Sequence, residues 1–114
     1  MPGGPDIIRI FHKRSGELIA EGPPGYRGIL SFEGNYYINR RCIKTDGLHI
    51  SWIPGFCIYK FFYVWLNYRA PDGSVEPMLG WLYWLPNPLF VLIAFKPAVP
   101  KDSPSLRIES VTLP

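Results

Sequence analysis

Two reactive side chains stand three positions apart in the middle of the chain. They are the thiol of Cys57 and the ammonium of Lys60, with Ile58 and Tyr59 between. A lysine beside a thiol lowers its pKa and favours the nucleophilic thiolate. Strand parity opposes the pairing, because positions an odd number apart on a regular strand point to opposite faces. A bend after Pro54-Gly55 would be needed to bring them together. The competing reading of Cys57 is a buried structural cysteine. Cys57 and Lys60 are thus the catalytic candidates, with no particular reaction implied.

The second candidate chemistry is aromatic. Arg69-Ala70-Pro71-Asp72-Gly73-Ser74 places Pro where a turn wants a fixed φ and Gly where φ must be positive. Such a hairpin sets Ala70 opposite Ser74. Regular pairing from there has Trp65 facing Leu79, Tyr63 facing Trp81, Phe61 facing Tyr83 and Lys60 facing Trp84. Pro77 demands an edge or a bulge in this register. One face is then almost wholly aromatic. It is either the core of a sandwich or barrel, or a stacking platform for a planar ligand. The ligand-binding candidates are Tyr59, Lys60, Trp81 and Tyr83, with Lys60 supplying charge for an anionic ligand. On a regular strand Lys60 points away from the three aromatics, so this site also needs a bend.

Other chemistries find less support. A zinc site would have to draw on Cys42, Cys57, His12 and His49, whose spacing matches no ligand pattern, so no metal is expected. The acids Asp6, Glu17, Glu21, Glu33, Asp46, Asp72, Glu76, Asp102 and Glu109 are scattered, with no Asp-x-Asp pair to hold Mg²⁺. A Gly-rich phosphate loop with Lys is absent, and no cofactor is expected. No local motif suggests a Ser/His/Asp arrangement.

The elements that must position these residues read as strands. Ile7 to Phe11 and Glu17 to Ala20 form a hairpin, and Gly28 to Phe32 pairs with Tyr36 to Asn39. Leu48 to Trp52 is a short strand closed by Pro54-Gly55. Two long strands follow, Cys57 to Tyr68 and Val75 to Leu85, and another covers Phe90 to Phe95. One or two helical turns fit near Arg40 to Lys44 or Pro88 to Ile93. The segment from Pro97 is an extended tail, with an edge strand over Leu106 to Val111.

The chain has 114 residues, enough for one domain with its core over about 7–95 and a tail over 97–114. Thirteen prolines, eleven glycines and 16% aromatic residues favour a mainly β domain over long helices. The fold class expected is small antiparallel sheets, or else a β-sandwich or open barrel. A net charge of +3 gathers in two small groups, His12-Lys13-Arg14 and Arg40-Arg41 with Lys44. Neither makes a nucleic-acid track. The uncharged run from Leu79 to Phe95 is broken by Pro86-Asn87-Pro88, which leaves each piece too short to span a bilayer as a helix. With two cysteines and no apolar leader at Met1, a reduced cytoplasmic setting is the expectation.

Gly55-Phe56-Cys57-Ile58-Tyr59-Lys60, then Gly80-Trp81-Leu82-Tyr83, Pro86-Asn87-Pro88 and Ile93-Ala94-Phe95, resembles the domain of unknown function four-twenty-seven family, often labelled nucleotidyltransferase-like. Gly16 to Glu21 and Gly34-Asn35-Tyr36-Tyr37 are similar to its upstream segments. Ile58 and Phe61 depart from the family's usual Pro and Gly. The resemblance implies a β-tent-like fold and places the family's signature lysine at Lys60. The label's metal-dependent chemistry is not supported by the carboxylate pattern. The reading is a small β-domain that binds a small or planar, anionic ligand in an aromatic-lined pocket. Its alternatives are an enzyme using Cys57 or Lys60, and a structural protein-interaction module.

Overall fold

Alternation of apolar residues builds the first hairpin. In β1 (Ile7–His12), Ile8, Ile10 and His12 are buried while their neighbours are half-buried, the period of two expected of a strand with one inward face. β1 pairs antiparallel with β2 (Leu18–Gly22) on one side and β9 (Leu106–Val111) on the other. This gives a three-stranded sheet in the order β2-β1-β9, with the expected strand over Leu106 to Val111 at its edge. In this computed structural model the described residues are 6–32, 34–57, 61–86 and 95–112.

The second sheet has six strands in the order β3-β4-β8-β7-β6-β5. They are β3 (Ile29–Phe32), β4 (Asn35–Ile38), β5 (Leu48–Cys57), β6 (Phe61–Arg69), β7 (Val75–Pro86) and β8 (Pro97–Pro100). A single 3-10 turn, Arg40–Cys42, joins β4 to β5. The protein is thus a small, mainly β domain of two antiparallel sheets. The turn between β6 and β7 forms as its residues dictate. The Ala70 N–H donates to Ser74 O at 2.8 Å, and Gly73 sits at φ 90°, where a side chain would be strained.

Three elements differ from the reading of the sequence. First, β5 runs through Pro54-Gly55 instead of stopping there, and ends at Cys57, while β6 begins at Phe61. As an edge strand β5 tolerates a proline that cannot donate to the ladder. The register shifts between Ile50 and Pro54, where Trp52 takes a positive φ of 65°. Second, the β6–β7 register follows the turn only near it, with Arg69 opposite Val75 and Tyr68 opposite Glu76. Met78, at φ 57°, then forms a bulge next to Pro77, and beyond it Trp65 faces Trp81 and Tyr63 faces Tyr83. As far as Tyr63 the offset is two residues, so those side chains keep their faces and only their partners change, and a further shift between Tyr63 and Phe62 sets Phe62 opposite Leu85. Third, β8 lies inside the six-stranded sheet, between β4 and β7, and is no tail.

The main core fills the space between the sheets. Ile8, Ile10, Ile19 and Leu106 of the smaller sheet pack with Ile29, Ile38, Tyr68, Leu79 and Val99 of the larger. The opposite face of the larger sheet has its own cluster. Tyr37, Tyr83 and Ala98 are buried there, with Leu30, Phe32, Tyr63 and Trp81 packed against them.

A polar joint ties the sheets together at one end. His12 of β1 is 1% exposed, and its two ring nitrogens reach Ser15 Oγ and Glu76 Oε1, each at 2.8 Å. The Tyr68 hydroxyl donates to Glu17 Oε1 and lies 3.4 Å from Ser15 Oγ. Burial, reinforced by the Glu17 carboxylate, pushes the Tyr68 hydroxyl up to about 12. Burial would raise Glu76 as well, but hydrogen bonds from Ser105 and His12 outweigh it and hold the carboxyl below its ordinary value. Beside the joint, Arg14 bonds Asp72 at 3.1 Å and also Ser74.

Candidate functional site: an apolar cleft on the larger sheet

The face of β6 that enters the core at Tyr68 continues outward through Leu66 and Val64. Cross-strand pairing sets Ile50 beside Leu66, Pro54 and Leu82 beside Val64, and Pro97 beside Leu82. Beyond Leu66, itself buried, this apolar surface is left open among the described residues. It lines a cleft of about 740 Å³, completed by Leu48, Trp52, Trp84 and Phe95. That volume lies within the usual range for small-molecule sites, roughly 300–1,000 Å³.

The aromatic walls are unusually open to water. Trp52 is 79% exposed, Phe95 54% and Trp84 45%. Trp84 stacks on Phe62 with ring centroids 5.7 Å apart. Large apolar side chains exposed side by side mark surfaces that bind something. Two of the three non-glycine residues with positive φ among the described residues, Trp52 and Phe95, are in this wall. A left-handed conformation costs an L-residue on the order of 1–2 kcal/mol. Strain of this kind gathers at functional sites.

Phe95 is pinned from both sides. Its N–H donates to Tyr83 O at 2.8 Å. The next residue, Lys96, is 7% exposed, with Nζ donating to Tyr26 O at 2.7 Å and lying 3.6 Å from the Tyr26 ring centroid. Burial pulls the Lys96 ammonium below its ordinary pKa. The ring and carbonyl compensate part of that cost and hold the start of β8 in place.

Two polar side chains, Arg40 and His49, interrupt the apolar lining. Arg40 opens the 3-10 turn that Asn39 caps by accepting the Arg41 N–H at 3.1 Å. Arg40 is exposed and has no ion-pair partner among the described residues. The His49 Nδ1–H donates to Gly47 O at 3.0 Å, which leaves Nε2 as the nitrogen that can meet a ligand.

The residues expected from the sequence are distributed differently. Trp81 and Tyr83 share a face with Tyr63 and Trp65, as the aromatic pattern requires. Tyr63 lies 5.3 Å from Tyr83 and Trp65 6.0 Å from Trp81, centroid to centroid. This face is the one turned away from the cleft, where Tyr83 is buried. Gly55 belongs to the same face, and a side chain there would collide with the Tyr63 ring. Cys57 ends β5 opposite Phe61. Tyr59 and Lys60 lie outside the described residues, as does the strand expected over Phe90 to Phe95 except for Phe95 itself. Of the zinc candidates, His12 and His49 are engaged by the separate partners given above, and Cys42 is buried against Gly22.

The sequence reading did not select Ile50, Trp52, Val64, Leu82 or Trp84 as a site. For Val64, Leu82 and Trp84 the signal is the run of alternating apolar residues on the second face of β6 and β7, and for Ile50 and Trp52 the alternation along β5, both of which read equally well as core. No helix among the described residues is long and apolar enough to cross a membrane. No protein-family model matches the chain, and no curated protein matches it in sequence.

Proposed function

We infer that this domain binds a small amphipathic ligand, with an apolar body in the cleft and one anionic group at Arg40. A medium-chain or aromatic carboxylate has this chemistry. The observation that carries the reading is the apolar cleft itself, with two nitrogen-bearing side chains as the polar members of its lining. Each methylene buried there contributes about 0.8 kcal/mol. The guanidinium supplies a two-pronged donor matched to a carboxylate. This keeps the small, anionic ligand expected from the sequence but moves its seat to the other face of the sheet. The resemblance to the four-twenty-seven family belongs with this proposal, and so does a cytoplasmic setting.

Calorimetric titration with dodecanoate and with dodecanol tests it. Dodecanoate is expected to bind one to one and more tightly than the alcohol, with Arg40→Gln removing most of the difference. Absence of saturable binding by dodecanoate, or equal affinity for acid and alcohol, would contradict the reading.

A further inference from the structure

The polar joint has the parts of a nucleophile, a base and a carboxylate that orients the base. His12 Nε2 faces a carboxylate oxygen of Glu76, which can only accept, so Nε2 carries the proton in the neutral ring. Nδ1 then presents its lone pair to Ser15, 2.8 Å from Oγ. The Ser15 hydroxyl proton is held by a base that water scarcely reaches, while Ser15 itself is exposed. Glu76 is kept ionised by its own hydrogen bonds and stabilises the imidazolium that forms when the base takes a proton. The Glu17 N–H donates to Ser15 Oγ at 3.2 Å and fixes its position. Glu17 also lines a separate recess of about 310 Å³, with Asp46, Gly47, Arg69 and Gly73 among its walls. The base on β1 and the nucleophile in the turn that follows it are close in the chain, and the orienting carboxylate comes from β7, 64 residues away from the base.

We propose that Ser15 is an acyl-accepting nucleophile, with His12 as its general base and Glu76 as a positioning residue, acting on small polar carboxylic esters. Ser15 Oγ attacks the ester carbonyl as its proton passes to His12 Nδ1. The tetrahedral adduct collapses, the C–O bond to the leaving alcohol breaks, and His12 returns the proton to the departing oxygen. Water, deprotonated by the same nitrogen, attacks the acyl-serine, releases the carboxylate and restores Ser15. The recess beside Glu17 receives the alcohol portion, and its Glu17 and Asp46 carboxylates favour a hydroxylated or cationic one. This site is independent of the cleft.

The test uses p-nitrophenyl acetate with the full chain, reading acetylation at each residue by peptide mass mapping. Ser15 is expected to be acetylated at least tenfold faster in the native protein than in the urea-unfolded chain. Ser15→Ala removes that adduct while the chain stays folded. Glu76→Gln slows it and moves the rising limb of its pH profile toward acid, because the imidazolium loses its counter-charge. If His12→Gln fails to fold, Ser15→Ala and Glu76→Gln still decide the matter. Ser15 acetylation no faster than in the unfolded chain, or adducts confined to lysines, would overturn the proposal. So would a pH profile that Glu76→Gln leaves unmoved.

Discussion

His12 and Glu76 are 64 residues apart in the chain, and their side chains meet at 2.8 Å between the two sheets. Removing one partner leaves the other as a poorly solvated polar group, at a cost of about 1–3 kcal/mol. The hairpins β1–β2 and β6–β7 each close locally, so this contact helps decide how one sheet sits on the other.

The contact makes the fold sensitive to acid. The Glu76 carboxyl is held below its ordinary value of 4.5 by Ser105 and His12 against the opposing effect of burial. A group whose folded pKa is depressed stabilises the fold above its unfolded pKa. That stability is lost as pH falls through the folded value. Urea midpoints measured from pH 6 down to pH 3 are expected to fall for the parent, and to fall less for Glu76→Gln. Equal pH dependence in the two proteins would remove Glu76 from the account.

At the alkaline end the sign reverses. Tyr68 is pushed from 10.0 up to about 12, so the folded state keeps a proton that the unfolded chain gives up. Its contribution is intact below pH 10 and declines as pH rises toward 12, by about 2–3 kcal/mol in all. Tyr68→Phe is expected to flatten this part of the curve while lowering stability at neutral pH through the lost bond to Glu17. Unfolding midpoints between pH 9 and 11.5 provide the check, and an unchanged slope in Tyr68→Phe would contradict it.

Trp52 sets stability against binding. It combines a φ of 65° with 79% exposure. Glycine at this position relieves the left-handed strain and gives up little packing, although its unfolded state has more entropy to lose. Thermal melts of Trp52→Gly should show stability unchanged or raised by about 1 kcal/mol, together with weaker dodecanoate binding. A clear loss of stability would mean that the indole packs in the fold.

Local chemistry made the strands legible. The turn at Pro71-Asp72-Gly73 carries its geometry in its residue types, and Ala70 bonds Ser74 as they dictate. The aromatic face was legible too, because a two-residue bulge preserves parity and so keeps Tyr63, Trp65, Trp81 and Tyr83 together. The bulge itself was signalled by Pro77, but its size depends on Met78 adopting a conformation that no propensity assigns to methionine. Which aromatic face would be filled from within and which left open was not legible. That depends on how far the smaller sheet covers the larger, a tertiary fact. Tyr83 and Trp84 are neighbours of similar type, yet one is buried and the other half exposed. The link from His12 and Ser15 to Glu76 was hidden for the same reason, since Glu76 reaches that turn only once the sheets are stacked.

The four tryptophans divide two and two between the faces of the larger sheet, and this division offers the most direct test of the binding site. Trp52 and Trp84 line the cleft, and Trp65 and Trp81 pack together on the other side. Bromine quenches indole fluorescence on contact, so brominated dodecanoate reports which pair it touches. The account predicts saturable quenching that survives in Trp65→Phe/Trp81→Phe and disappears in Trp52→Phe/Trp84→Phe. Quenching that persists without Trp52 and Trp84, or that follows Trp65 and Trp81, would place the ligand on the opposite face and contradict the account.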